Sequence, residues 1–220
     1  METTNANMHT VLTQFAKSSS NEWSVSIGLN PDGSYSVSST QENGATSGTI
    51  PSVPSGDYVA NGHSHGVGSD GVPSIGDLYS FLEMVANYPT LQTMYVYGTG
   101  WSGSTETYAI NIHDRQAASN FLNAYPKDGN YNSFTHGFAE GSTVGIAYND
   151  VILKYNDGKY DNHGVTYHYM NEAVALSYIM SRFNMGVTLS RKVDNQSFTI
   201  INTKEKKNDP KKTLDITTCQ

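Results

Sequence analysis

The run Gly62-His63-Ser64-His65-Gly66-Val67-Gly68-Ser69-Asp70-Gly71-Val72-Pro73-Ser74-Ile75-Gly76-Asp77 fits a strand end, a glycine-rich loop and a helix start into one short stretch. Tyr58-Val59-Ala60 just ahead of it is apolar and β-prone, so His63 and His65 fall at the C-terminal end of a strand. Strand side chains alternate with a period of two, which points both imidazoles to one face. Asp77 comes back after the loop. Two imidazole nitrogens and one carboxylate oxygen make a three-donor set suited to zinc, with a fourth position open to water. That is the arrangement of a catalytic rather than a structural site. Ser74 can donate a hydrogen bond to an oxygen that turns negative as water adds to a carbonyl. The Ser74-x-x-Asp77 spacing before an apolar run is also a capping box. The two roles are compatible, because a cap fixes both side chains at the helix start.

The flanking sequence supplies the elements that such a motif needs. Residues 1–6 read as a frayed start. Met8, Val11, Leu12, Phe15 and Ala16 then follow the i, i+3, i+4 stripe of an amphipathic helix, which Ser18-Ser19-Ser20-Asn21 breaks. Trp23, Val25, Ile27 and Leu29 alternate with Ser24, Ser26 and Gly28, the pattern of a strand with one buried face. Pro31-Asp32-Gly33 signals a turn, and Tyr35 and Val37 continue as the returning strand. Residues 40–56, rich in Ser, Thr, Gly and Pro, read as a loop. After the histidines, Ile75, Leu78, Tyr79, Leu82, Val85 and Ala86 give a helix its apolar face. Met94 to Tyr97 reads as a buried strand, Trp101-Ser102-Gly103-Ser104 as a turn, and Thr105 to Ile112 as the next strand. The order predicts an α/β fold, a mixed sheet with helices on its faces.

The histidine pair, Ser74 and Asp77, preceded by a helix, a strand, a turn and a strand, resemble the H-x-H…S-x-x-D pattern of the JAMM (MPN+) metalloproteases. The resemblance covers residues 8–112. It implies a core of the JAMM and cytidine-deaminase type, with Zn2+ on His63, His65 and Asp77. It also gives Glu22 a role. The family's general base is a glutamate at the start of the strand pair, and Asn21-Glu22-Trp23 stands in that place. The bland alternative for Glu22 is an exposed charge at a strand start. Glu42, in a glycine-rich loop, is its rival, and Glu83 on the motif helix reads as a surface residue. The chain departs from the family in two ways. Gly66 stands where a proline usually follows the second histidine, and the loop from His65 to Ser74 is one residue longer. The glycine-rich form is more similar to bacterial JAMM-type domains, some of which are carried at the ends of large secreted or toxin-like proteins.

The second half reads as an α+β elaboration over 113–202. Asp114 can cap a helix carrying Ala117, Ala118, Phe121 and Leu122, ended by Pro126-Lys127-Asp128-Gly129-Asn130. Val144, Ala147, Tyr148, Val151, Ile152 and Tyr155 fall at helical spacing, and a further helix is predicted from Asn171 to Phe183. Val187–Lys192 and Ser197–Asn202 read as a hairpin around Asp194-Asn195. His136, His163 and His168 share no compact ligand spacing and read as surface or packing histidines. Tyr148, Tyr155, Tyr160, Tyr167, Tyr169 and Tyr178 suit a core or a binding face. The lysine-rich stretch Lys204–Lys212 makes 203–220 a flexible tail.

These readings divide the chain into a core at 1–112, an elaboration at 113–202 and the tail. A length of 220 residues accommodates one large domain or a domain with an elaboration. The formal net charge of −7 argues against a nucleic-acid surface. Cys219 is the single cysteine, which excludes an intrachain disulfide and a cysteine zinc site. No apolar run is long enough to span a bilayer, which predicts no membrane partner and a soluble chain, cytoplasmic or part of a larger secreted protein. The expected function is that of a zinc-dependent hydrolase, a peptidase or isopeptidase with a protein or peptide substrate. Two alternatives are a non-catalytic JAMM-like binding module and a toxin-type metal-dependent hydrolase acting on another bond.

Overall fold

The structure is a computed structural model that describes residues 2–46, 48–100, 103–163 and 171–219. The elements in chain order are α1 (Glu2–Ser18), β1 (Trp23–Leu29), β2 (Tyr35–Val37), β3 (Gln41–Glu42), β4 (Asp57–Ser64), α2 (Ile75–Asn87), β5 (Thr93–Thr99), β6 (Thr105–Ile112), α3 (Arg115–Ala124), α4 (Lys127–Asn130), β7 (Tyr131–Asn132), β8 (Gly137–Phe138), α5 (Thr143–Asn156), β9 (Tyr160–Asp161), α6 (Asn171–Arg182), β10 (Val187–Val193), β11 (Thr199–Glu205) and β12 (Leu214–Cys219). The fold is mixed α/β, as the alternation of periods predicts. Among the described residues, no helix is long and apolar enough to cross a membrane.

The chain forms two compact units. The first comprises Met1–Val72, Asn87–Ile110 and Arg191–Ser197. Its strand order is β2-β1-β4-β5-β6 and then the end of β10, with β3 also on β1. β1 and β4 are antiparallel, and β4 and β5 are parallel. Two parallel neighbours need a crossover connection, and residues 65–92 provide it. α1 packs on one face of β1, β4 and β5. Leu12 and Ala16 are fully buried there, and Phe15 stacks on Trp23 at 4.1 Å. Gly62 has no side chain because α1 comes so close, and a Cβ would lie 3.2 Å from Leu12 Cδ1. α1 starts at Glu2, so the stretch expected to be a frayed start is helical from there.

β1 has two buried faces rather than one. Ser24 and Ser26 are as inaccessible as Val25 and Ile27. The alternation predicts a solvent face for the serines, but that face is covered, and the Ser24 hydroxyl and the Ser26 backbone are hydrogen-bonded there. Ser24 Oγ donates to Thr49 O at 2.8 Å and accepts from Asn43 Nδ2 at 3.0 Å, and Ser38 Oγ accepts from Ser26 N at 2.9 Å. Residues 40–56 therefore cover that face, and they include the short strand β3. The Asn30–Ser34 turn forms as expected, with Gly33 at φ 83°. Of the Trp101–Ser104 turn, Trp101 and Ser102 lie outside the described residues.

The second unit comprises Pro73–Ala86, Asn111–Ser190 and Phe198–Gln220. Its strand order is β10-β11-β12-β9. α5 and α6 pack on each other, α6 against β11 and α5 against β12. Asp114 caps α3 by accepting from Ala117 N at 3.0 Å, as its position predicts. Pro126–Asn130 is a turn, since Asp128 and Gly129 leave helical geometry within α4. The tyrosines build packing: Tyr155 stacks on Tyr160 at 4.5 Å, and Tyr178 is buried. Tyr167 and Tyr169 lie outside the described residues.

Two expectations need correction. Residues 203–219 are not a flexible tail. β11 runs to Glu205, and β12 lies between β11 and β9, with Leu214 and Ile216 fully buried. The lysines misled because only Lys206 to Lys212 form the exposed turn, while the period-two Leu214 and Ile216 face inward. The units also do not divide at residue 112. Asp194 N donates to Thr105 O at 2.9 Å, which returns 191–197 to the first unit. Tyr79 packs on Phe121 and its OH donates to Tyr125 O at 3.0 Å, which ties 73–86 to the second.

Two outcomes test this packing. Ile216→Ala should cost about 3 kcal/mol in urea unfolding, whereas a tail residue would cost nothing measurable. His9 faces Tyr95 and Tyr97, and burial, with Lys192 adding repulsion, lowers its pKa to about 4. Burial also keeps the Tyr97 phenol protonated, so it donates to neutral His9 Nδ1. The unfolded chain thus takes up a proton near pH 6.5 that the folded chain refuses. Stability is complete above that pH and falls by about 3 kcal/mol as pH drops to 4. The difference between wild type and His9→Gln across that window in denaturation curves measures it.

Candidate metal centre

The two histidines owe their placement to the β4 ladder. β4 pairs with β1 so that Ser24 lies opposite His63, and with β5 so that Val96 lies beside it. Cross-strand partners share a face, so Ser24, His63 and Val96 lie together on the side away from α1. His63 is 7% exposed. Its ring centroid is 5.3 Å from that of His65, which the strand period brings to the same face.

His65 is held by its backbone and its ring. Its N–H donates to Tyr97 O at 2.8 Å, extending the pairing with β5. Its Nδ1 lies 2.8 Å from the carbonyl oxygen of Asp70. A carbonyl only accepts, so Nδ1 carries the proton and Nε2 presents its lone pair. This is how metal-binding histidines are oriented from behind. Asp70 was not singled out in the sequence; it lies in the glycine-rich loop, and nothing indicated that its carbonyl would meet His65.

The loop that carries Asp70 is fixed by close backbone approaches. Gly66 lies against the end of the α1 segment: a Cβ there would be 2.7 Å from Ser20 O, and Val67 N donates to Ser19 O at 2.7 Å. Further on, Gly71 abuts β5 and β6, where its Cβ would meet Glu106 O at 2.7 Å and Gly98 N at 2.9 Å. Gly98 faces the Asp70–Gly71 peptide in turn, and a Cβ on it would overlap that peptide. Thr99 N donates to Ser69 O at 3.0 Å. The glycine richness of the loop is a requirement of this contact.

Asp77 and Ser74 form the reciprocal cap that their spacing predicts. Ser74 N donates to Asp77 Oδ2 at 2.7 Å, and Asp77 N donates to Ser74 Oγ at 3.0 Å. Ser74 Oγ accepts in this pair and keeps its proton for another acceptor. The cap also fixes the Asp77 carboxylate at the first turn of α2. His63, His65 and Asp77 each offer a ligand atom, and these atoms all lie within 4.8 Å of one another. They make a group able to hold a metal ion, and the set found is the one the motif predicts. The donor chemistry fits, with two imidazoles, one of them in a fixed tautomer, and one carboxylate.

Glu22 lies one step before Trp23, whose partner is Ser64, the last pair of the β1–β4 register. It is half-buried, and its backbone is held by Gly44 O and Asn43 N. Its rival Glu42 is exposed on β3 and accepts from Asn21 Nδ2 at 2.9 Å; Glu83 is exposed on α2. His163 is exposed and paired to Asp215 at 2.8 Å. His168 lies outside the described residues. His136 was expected to be an ordinary histidine, but it accompanies Tyr131 beside the α2 start. The Tyr131 OH lies 3.0 Å from where a Gly76 Cβ would stand. Burial and, secondarily, the charge of Asp77 raise the Tyr131 pKa, which keeps it a hydrogen-bond donor. No sequence spacing links residue 131 to residue 77.

Gly98→Ala tests the loop contact. Displacing the Asp70 carbonyl should lower transition-metal affinity about 10- to 100-fold, read by competition with a chromophoric chelator, with the far-ultraviolet spectrum retained. Unchanged affinity would show that the carbonyl does not orient His65.

No protein-family model, no curated protein and no solved structure matches this chain.

Proposed function

We propose that the chain is a zinc-dependent hydrolase of amide bonds, a peptidase or isopeptidase of the JAMM-like type. The observation that carries this reading is the convergence of His63, His65 and Asp77, with the His65 ring oriented by Asp70 O. Three donors, with the His65 ring in a fixed tautomer, suit a site that leaves a coordination position open. Zinc bound there would supply Lewis acidity, lowering the pKa of water and polarising a carbonyl.

The residues of the chain divide the remaining work. Glu22, half-buried just ahead of β1, accepts the proton of the attacking water as a general base. The same carboxyl then delivers that proton to the leaving amine nitrogen. Ser74 Oγ, already accepting from Asp77 N, donates its hydroxyl proton to the oxygen that gains charge. The cap that orders α2 thus also aims two polar groups of the site. The preference for an amide bond rests on the family resemblance and on the presence of a base, an oxyanion donor and a three-donor set together.

Metal content and a base variant test the proposal. Purified wild-type chain should carry about one zinc by elemental mass spectrometry, and His63→Ala/His65→Ala should carry none. Glu22→Gln should keep the zinc and lose hydrolysis of a peptide library by about 10²-fold or more. Retention of full activity would remove Glu22 from the mechanism. A folded wild-type chain that takes up no metal after zinc loading would overturn the reading as a whole.

A further inference from the structure

Tyr131 is held in place by four features. β7 and β8 pair Tyr131 with Phe138, and Phe138 is buried between Tyr79 and Tyr148. This anchors the hairpin in the second unit. His136, in the turn of the hairpin, adopts φ 53°, a left-handed conformation uncommon for a residue with a side chain. That conformation returns its Nδ1 to 3.1 Å from the Tyr131 hydroxyl. Lys127 Nζ stands 5.1 Å from the centre of the Tyr131 ring, where its positive charge favours a more polarised phenol.

The hydroxyl faces the start of α2. The point where Gly76 would carry a Cβ is 3.0 Å from the Tyr131 OH and 3.3 Å from Ser74 Oγ. Gly76 lies between Ser74 and the ligand Asp77, and any larger residue there would fill the gap between the two hydroxyls. A phenol that merely closed a hairpin would need neither the bare Gly76 nor the approach to Ser74.

We propose that Tyr131 is a second hydrogen-bond donor to the oxyanion at this site, acting beside Ser74, and that His136 is its positioning residue. His136 Nδ1–H donates to the phenol oxygen, which leaves the phenolic proton for the oxygen that turns negative when water adds to the carbonyl. The assignment rests on the hydrolase reading above and adds a donor to it. Two hydroxyls aimed from fixed elements stabilise the developing charge without rearranging as it forms. His136 acts only through Tyr131, so removing both should cost no more than removing Tyr131 alone.

The test uses the full chain loaded with cobalt(II) and inorganic phosphate as a tetrahedral oxyanion probe, read by the visible spectrum of the cobalt. Tyr131→Phe should weaken phosphate about tenfold and leave cobalt affinity within about twofold of wild type. His136→Gly, which suits the left-handed backbone, should weaken phosphate to a similar or smaller degree. The double variant should be no weaker than Tyr131→Phe. Phe134→Ser, at the exposed tip of the same hairpin, should match wild type and so controls for disturbance of the hairpin.

Phosphate affinity in Tyr131→Phe that equals wild type, with cobalt bound, would overturn the donor role and leave the metal centre standing. Additive losses in the double variant would overturn the coupling of His136 to Tyr131. Parallel loss of cobalt in Tyr131→Phe would make the tyrosine a structural support of α2 and overturn the proposal. No phosphate-dependent spectral change in cobalt-loaded wild type would also overturn it. A wild-type chain that binds no cobalt would sink the metal reading itself, an outcome distinct from the others.

Discussion

The β4 ladder is the constraint from which the candidate site follows. β4 is hydrogen-bonded on both sides, antiparallel to β1 and parallel to β5, so its register cannot slip without breaking two sets of bonds. Its side chains then divide by parity. Ala60 and Gly62 face α1, while Asn61 and His63 face the other way, and His65 continues that second set. A shift by one residue would turn the imidazoles into the α1 packing and put Gly62 on the face that now carries them. Gly62 belongs to the same constraint, since only a bare position lets Leu12 come so close. The strand that aims the histidines is thus locked by apolar packing on the face opposite to them.

The face that holds His63 is polar and buried, which is costly unless its groups are satisfied. Ser24 beside His63 is bonded to Thr49 and Asn43, and Asn61 donates to Tyr58 OH at 2.6 Å. The loop of residues 40–56 therefore has a structural task that its Ser, Thr and Gly content hides. It supplies the partners that let the strand bury Ser24 beside His63. A polar, buried and hydrogen-bonded surround is also what holds a ligand ring in one orientation.

What the sequence revealed follows from how local each signal is. The strand period of β1, the helical stripe of α1, the Asp114 cap and the Ser74–Asp77 box are short-range patterns, and all of them form. The group His63, His65 and Asp77, able to hold a metal ion, was legible because its three members lie on one short stretch. Glu22 needed more: its place beside the end of the β1–β4 pairing depends on how those strands align, which its position at a strand start only hinted at. The 203–220 stretch was misread because lysine density dominated over the brief alternation of Leu214 and Ile216. β12 is recognisable only once β11 and β9 stand on either side of it. Asp70, Tyr131 and His136 left no usable trace, because a carbonyl carries no residue signature and a hairpin tyrosine looks like any other.

The glycines of the loop show how contact between backbones can hold a loop rigid. A proline after the second histidine stiffens a loop by fixing φ and removing a donor. Here Gly66 makes room for Ser20 O, and the neighbouring Val67 N–H donates to Ser19 O, so the loop is fastened to the end of α1. The opposed Gly71 and Gly98 then bring the loop backbone onto β5, and the Asp70 carbonyl arrives behind His65. Rigidity comes from contacts with α1 and β5 in place of a ring within the loop. The longer interval before Ser74 accommodates that detour while the cap still fixes Asp77 at the first turn of α2. Such a site should tolerate change in loop sequence far better than change at the points where two backbones touch.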